Sequence, residues 1–175
     1  LKDTSHDIIE FTLVYNNHKT KVFNYLLKMI NDRMAVEDIM QDVFLKLFEN
    51  LQSIKNKNSI SFWIFTTARN EVFGYFRKKK IKVDQFNVDD SEDIEIEVEN
   101  DLLEKLEHEE IKEFILKELN NIQFEQREIF LLKEYGGLSY KEIAAVMSID
   151  EELVKSRLHK AREKIIQKLS RFVNE

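Results

Sequence analysis

Residues 138 to 162 read LSYKEIAAVMSIDEELVKSRLHKAR, and the spacing of their apolar positions decides the fold class. Ser139 stands three residues before Glu142, the pattern in which a hydroxyl and a carboxylate each satisfy a free backbone N–H at a helix start. Ile143, Ala144 and Met147 then share one face of that short helix. Asp150 offers a second N-cap. The longer helix it opens carries Leu153, Val154, Leu158, Ile165 and Leu169 inward, while Lys155, Ser156, His159, Lys160 and Arg162 point elsewhere. Two capped helices joined by about four residues, the second basic on its outer face, predict a helix-turn-helix with its recognition helix second.

Upstream of that stretch, helical spacing returns near Leu102 and runs through Leu106, Ile111, Phe114, Ile115 and Leu119. A polar break at Asn120-Asn121 separates it from a helix over Phe124 to Tyr135, whose Ile129, Phe130 and Leu132 pack before Gly136-Gly137 ends it. The C-terminal module is therefore expected to hold four helices. Residues 81 to 101, IKVDQFNVDDSEDIEIEVEND, carry too much like charge and too little apolar content to fold alone and read as a linker. The expected division is 1–80, an acidic linker over 81–105, and 106–175.

Charge supports that division. The formal net charge of -6 would argue against a nucleic-acid partner if it were evenly spread, but residues 1 to 80 sum to about +4, residues 81 to 110 to about -11 and residues 111 to 175 to about +1. The acidity belongs to one segment. Modules of positive charge beside such a connector make self-masking of DNA-binding faces physically reasonable, with the two modules packed on each other when the chain is free.

Composition sets the remaining bounds. A balance of 43% hydrophobic to 34% charged residues is that of a water-soluble globular chain. The longest apolar runs hold four or five residues, far from the ~20 that span a bilayer, and no N-terminal signal pattern is present. The expected compartment is the cytoplasm, and a chain opening on Leu1 is expected to have lost or exchanged its native start. With no Cys and four scattered His, neither a disulfide nor a metal site is expected, and no cofactor. Proline is absent and Gly occurs only at 74, 136 and 137, which predicts an all-α fold. No Gly-rich phosphate loop or nucleophile–base pairing points to an enzyme.

In the first module, residues 6 to 31 predict two amphipathic helices with a break near Asn16-Asn17. Met34 to Leu51 is the cleanest helix: Val36, Ile39, Met40, Val43, Phe44, Leu47, Phe48 and Leu51 recur at three and four and form a core stripe. Asp38, Gln41, Asp42, Leu45, Lys46 and Glu49 run around its other side. Acids on such a face ordinarily do no more than solvate it, but Leu45 among them favours a partner surface. After a polar loop over residues 52–60, the segment from Ser61 is apolar on most sides and ends in Arg77-Lys78-Lys79-Lys80. Those cations suit the helix dipole and would equally suit phosphates. Trp63 and most of the Phe residues read as core, while Asn70 beside Arg69 is a polar pair on an otherwise greasy helix.

Taken together, these segments resemble the extracytoplasmic-function class of bacterial RNA polymerase sigma factors, over nearly the whole chain. AVEDIMQDVFLKLFENL (residues 35–51) and FWIFTTARNEVFGYFRKKK (62–80) are similar to the class's region 2, and REIFLLKEYGGLSYKEIAAVMSIDEELVKSRLHKAR (127–162) looks like its region 4. Helix-turn-helix stretches of this kind also end many two-component and quorum regulators; the order of all the segments in one short chain points to the sigma class.

The resemblance implies a docking face of Asp38, Gln41, Asp42, Leu45 and Glu49 for the clamp helices of the polymerase largest subunit, with a further contact to the flap. It implies contacts to the minus-ten element from the loop residues Asn56, Lys57, Asn58 and Ser59, and from Arg69, Asn70, Arg77, Lys78 and Lys79. For the minus-thirty-five element it implies Ser139, Tyr140, Lys141, Lys155, Ser156, Arg157, His159, Lys160 and Arg162, with Arg157 and Arg162 serving phosphate contacts or internal salt bridges. An anti-sigma factor is the further partner implied. The chain departs from the family pattern at Gly74, where a polar residue is common, and at Ile122-Gln123-Phe124, where a Pro is usual. Asp150, Glu151 and Glu152 put acids where the recognition helix starts, so weak DNA binding is expected of residues 106–175 alone. The rival readings are a helix-turn-helix regulator acting without polymerase docking, and an interaction protein whose acidic segment mimics nucleic acid.

Overall fold

The computed structural model describes residues 4–80 and 102–173, and every described element is helical. The first helix, α1 (Thr4–Ile30), runs unbroken where two helices were expected. Two Asn residues cost a helix only a few tenths of a kcal/mol each. Packing outweighs that: Phe11, Val14 and Tyr15 before the Asn pair and Val22, Tyr25 and Leu26 after it are held against the same core. His18 reinforces the joint, its Nδ1 donating to the Val14 carbonyl at 2.8 Å while Nε2 meets Ser61 Oγ at 2.9 Å.

Asn31, in the left-handed region at φ 51°, turns the chain into α2 (Arg33–Asn50). Asp32 caps that helix by accepting from the Ala35 amide at 3.1 Å, and its second oxygen accepts from the Tyr75 hydroxyl at 3.1 Å, joining the α1–α2 turn to the third helix. Burial, and then the Asp32 carboxylate, push the Tyr75 phenol up to about 12. α2 buries Val36, Ile39, Val43, Phe44 and Leu47 as the spacing predicts. The expected stripe is broken at Phe48, which remains 44% exposed and meets the Phe11 ring of α1 in a T-shaped contact at 5.2 Å between centroids.

The polar loop expected over 52–60 contains two single turns of 3-10 helix, Leu51–Ser53 at its start and Lys57–Ser59. Asn56 supports the second by accepting from the Asn58 amide at 3.0 Å. α3 (Ile60–Lys78) follows and buries Ile60, Ile64, Phe65, Ala68, Val72 and Phe76.

The C-terminal module contains the four helices expected: α4 (Leu102–Asn120), α5 (Phe124–Glu134), α6 (Tyr140–Met147) and α7 (Glu151–Val173). Residues 102–105, assigned to the linker by charge, are the first turn of α4; the rest of that segment, 81–101, lies outside the described residues. α5 is covered on nearly every side, with Phe124, Gln126, Arg127, Glu128, Ile129, Leu131 and Leu132 all buried. It stops where Gly137 takes φ 69°. Gly136 is required for a different reason: a Cβ there would stand 2.6 Å from the Leu132 carbonyl oxygen and 3.2 Å from Phe65 Cε1 of α3.

That close approach belongs to the main feature of the architecture. The two modules share one apolar core, continuous from Val22 and Leu26 through Phe65 and Phe76 to Leu131 and Val154. α3 packs on α1 and α2 of its own module and on α6 of the other, and its Arg69 and Phe73 side chains meet Glu128 and Phe124 of α5. Its Phe73 and Phe76 rings both meet Phe124 edge-on, at 5.9 and 6.1 Å. A helix that is apolar on most sides must be covered on most sides, and α3 is covered from both modules.

The caps stand as the spacing predicts. Ser139 Oγ accepts from the Glu142 amide at 3.2 Å and Glu142 returns the contact to the Ser139 amide at 2.7 Å. Ser148, at φ 55°, closes α6, and Asp150 accepts from the Leu153 amide at 2.8 Å to open α7. Ser139→Ala should therefore cost about 1 kcal/mol in urea unfolding. An unchanged midpoint would mean that the box contributes nothing to stability.

Candidate nucleic-acid and docking surfaces

Asp38, Gln41, Asp42, Leu45 and Glu49 are all exposed and recur at three and four along α2, so the helix sets them in one stripe opposite its buried face. Leu45 is 58% exposed, an apolar side chain ringed by carboxylates. Among the described residues no ion pair engages Asp38, Asp42 or Glu49. Lys46, beside this stripe, turns to Glu71 of α3, which raises its pKa most, with Asp42 adding a smaller effect in the same direction. The stripe therefore presents net negative charge to solvent.

The residues expected at the minus-ten element divide into four places. The turns before α3 are held on the first turns of α1: Lys57 pairs with Glu10, and Gln52 donates to Asp7 Oδ1 at 2.8 Å and to Glu10 Oε2 at 3.2 Å. The Lys57 ammonium keeps the Glu10 carboxyl below the usual carboxylate range. Asn58 remains exposed there, while the Asn56 carbonyl oxygen is engaged as a cap. Asn70 is exposed some ten residues further along α3, which the rise of an α-helix puts about 15 Å away. Arg77, Lys78 and Lys79 form an exposed cationic end to α3, with Lys79 Nζ 5.7 Å from the Tyr75 ring centroid.

Arg69 is in a different environment. Its guanidinium donates from Nε to Glu128 Oε1 at 2.7 Å and from Nη2 to Oε2 at 3.3 Å, and lies 4.6 Å from the Phe73 ring centroid. Glu128 is fully buried and also accepts from the Tyr25 hydroxyl at 3.2 Å. Burial pushes the Tyr25 phenol well up, with the Glu128 charge adding to the effect and Arg69 opposing it. Glu128 was not recognised in the sequence. Its signal was its register: with Phe124 four residues before it and Leu132 four after, it lies on the apolar side of α5, where a carboxylate requires a partner.

In the helix-turn-helix, Lys155, Ser156, His159 and Lys160 are exposed along the outer side of α7 while Val154, Leu158 and Ala161 face inward. Lys155 is paired with Glu152 at 2.8 Å, and His159 Nε2 lies 3.3 Å from Glu163, an ion pair when the imidazole is charged. Arg162 pairs with Glu134 of α5, the internal salt bridge foreseen as one of its two roles. Arg157 is half-buried, Lys141 is exposed, Ser139 is committed to its cap, and Tyr140 packs under Lys133 Nζ at 4.8 Å. Among the described residues no cluster of His, Cys, Asp and Glu could hold a metal ion, and no helix is long and apolar enough to cross a membrane.

Residues 14–81 match the family "Sigma-70 region 2" and residues 113–165 match "Sigma-70, region 4". The chain is 28% identical over 163 residues to the ECF RNA polymerase sigma factor SigM of Bacillus subtilis, covering 93% of this chain and 96% of that one. It is 26% identical over 170 residues to the ECF RNA polymerase sigma-E factor of Escherichia coli K12, covering 87% and 89%. Among solved structures it is similar to the sigma factor RpoE of Bartonella quintana, crystallised with the anti-sigma factor NepR, at a TM-score of 0.70 and 24% identity over 97% of this chain and 98% of that one. It is also similar to CnrH in complex with the cytosolic domain of CnrY, at a TM-score of 0.63 and 19% identity over 91% and 87%. The chain belongs to the sigma-70 family, as an RNA polymerase sigma factor of the extracytoplasmic-function class.

Proposed function

We propose that the chain docks on core RNA polymerase through the α2 stripe and directs initiation by holding promoter DNA at two places, with no chemistry of its own. The observation that carries this reading is the pairing, in one short chain, of an exposed acidic stripe centred on Leu45 with an outward cationic helix-turn-helix face. A leucine among acids matches an apolar socket ringed by bases, which the clamp helices of the largest subunit would supply. Lys155, Ser156, His159 and Lys160 would enter the major groove of the minus-thirty-five element, where hydrogen bonds to base edges read sequence and phosphate contacts set register.

At the minus-ten element, Asn58 and the turns around it would receive a base displaced from the stack, and the cationic end of α3 would track the backbone. Unstacking costs a few kcal/mol, which amide hydrogen bonds and phosphate contacts offset. Such a factor acts in the cytoplasm beside the polymerase. An anti-sigma factor is its natural antagonist, since solved relatives of the same fold are found with such partners. Run-off transcription with core polymerase and a pool of promoter fragments tests the reading. Initiation at a defined subset is expected; a chain that directs no initiation on any fragment is not acting as a promoter-specificity factor.

A further inference from the structure

Arg69 belongs to the α3 face assigned above to nucleic acid, yet its guanidinium is held by a carboxylate of the other module. Glu128 has no exposed surface, and the only charged group bonded to it among the described residues is Arg69; its remaining donor is the Tyr25 hydroxyl of α1. A carboxylate at the centre of an apolar joint is tolerated only while those donors reach it, and they lie on α1 and α3 while it lies on α5. The contact is therefore conditional on the modules being closed. Planar, doubly bonded and anionic, Glu128 presents to Arg69 the same fork of oxygens that a phosphate would. Phe73, stacked beneath the guanidinium, is meanwhile covered by Phe124.

We propose that Glu128 is an internal anion that competes with DNA for Arg69, so that the closed arrangement withholds this face of α3 from nucleic acid until region 4 lifts away. The proposal rests on the assignment of α3 to nucleic acid, and goes beyond it by naming the group that controls access. Opening exposes Arg69 and Phe73 together, a cation and an aromatic face suited to a single strand. It also lets water take over the Glu128 carboxylate.

The chain has no Cys, so Asn17→Cys on α1 and Gln167→Cys on α7, both at exposed positions, can carry a donor and acceptor dye in the full-length protein. Energy transfer then reads closure without DNA, and circular dichroism reports whether each variant is folded. Glu128→Gln and Arg69→Gln should both lower transfer. Only Glu128→Gln should also bind a short fluorescein-labelled single strand about ten-fold more tightly than the parent, because it alone frees the cation. A folded Glu128→Gln or Arg69→Gln with parental transfer would overturn the clasp, as would opening with no gain in affinity for Glu128→Gln over Arg69→Gln. Should both lose helicity, Tyr25→Phe, which keeps the ring and removes one donor, is read in the same way, and parental transfer in that variant overturns the proposal. Run-off transcription is independent of these readouts, so an inert clasp in an active factor is distinguishable from a chain that is no initiation factor.

Discussion

Asp42→Lys is expected to weaken binding to core RNA polymerase by on the order of a hundred-fold, read by pull-down or by loss of promoter-directed run-off product. Asp42 is exposed at the middle of the α2 stripe, one turn before Leu45, and no ion pair within the described residues engages it. Reversing the sign of a charge at the centre of an interface leaves the partner's base unpaired and adds repulsion, a loss of roughly 2–5 kcal/mol. The fold should not register the change, because the side chain is exposed; the thermal unfolding curve should overlay the parent's. Parental affinity in this variant would move the docking surface elsewhere on the molecule. Lys46 provides a contrast, being turned away from the stripe toward Glu71, so Lys46→Ala should leave polymerase binding within a factor of a few.

Phe65→Ala is the second large effect, and it concerns stability. Phe65 is 1% exposed, meets the Tyr25 ring at 5.7 Å and lies against the backbone at Gly136. Truncation empties a space bounded by both modules, and a cavity of that kind costs about 3–5 kcal/mol. Because the ring touches α1 and the end of α5 together, the loss should appear in the whole unfolding transition rather than in one half of it. A loss under ~1 kcal/mol in urea would mean that the joint repacks without the ring and that the common core is less tightly determined than its burial indicates.

Much of this architecture could be read before any coordinates. The capping box at Ser139 and Glu142 and the N-cap at Asp150 are local patterns, in which donor and acceptor lie within four residues, and all of them form as expected. The buried face of α2 and the outward cations of α7 follow from periodicity alone, since a helix fixes which side chains share a side. Leu45 could be singled out because its register contradicts its chemistry. The same test, applied to Glu128, would have found a carboxylate on an apolar stripe and asked for its partner.

The partner itself was beyond reach. Tyr25 and Glu128 are separated by 103 positions and Arg69 and Glu128 by 59, and no spacing rule relates residues on different helices. Nor could the Asn16-Asn17 pair be weighed correctly, because the penalty is local while the packing that overrides it comes from other helices.

What the sequence determined by itself is therefore most of the helices, their caps in the C-terminal module, most of their inward and outward faces, and the all-α class. Each of these is decided within one or two helical turns by spacing and by the demands of free backbone groups. Only the tertiary structure decided that the modules share a core, that α5 sits at its centre, and that Arg69 is committed to Glu128 in the closed arrangement. Those outcomes depend on which apolar surface covers which, and on a buried charge finding its counter-charge across the joint, and both are settled only when distant helices meet.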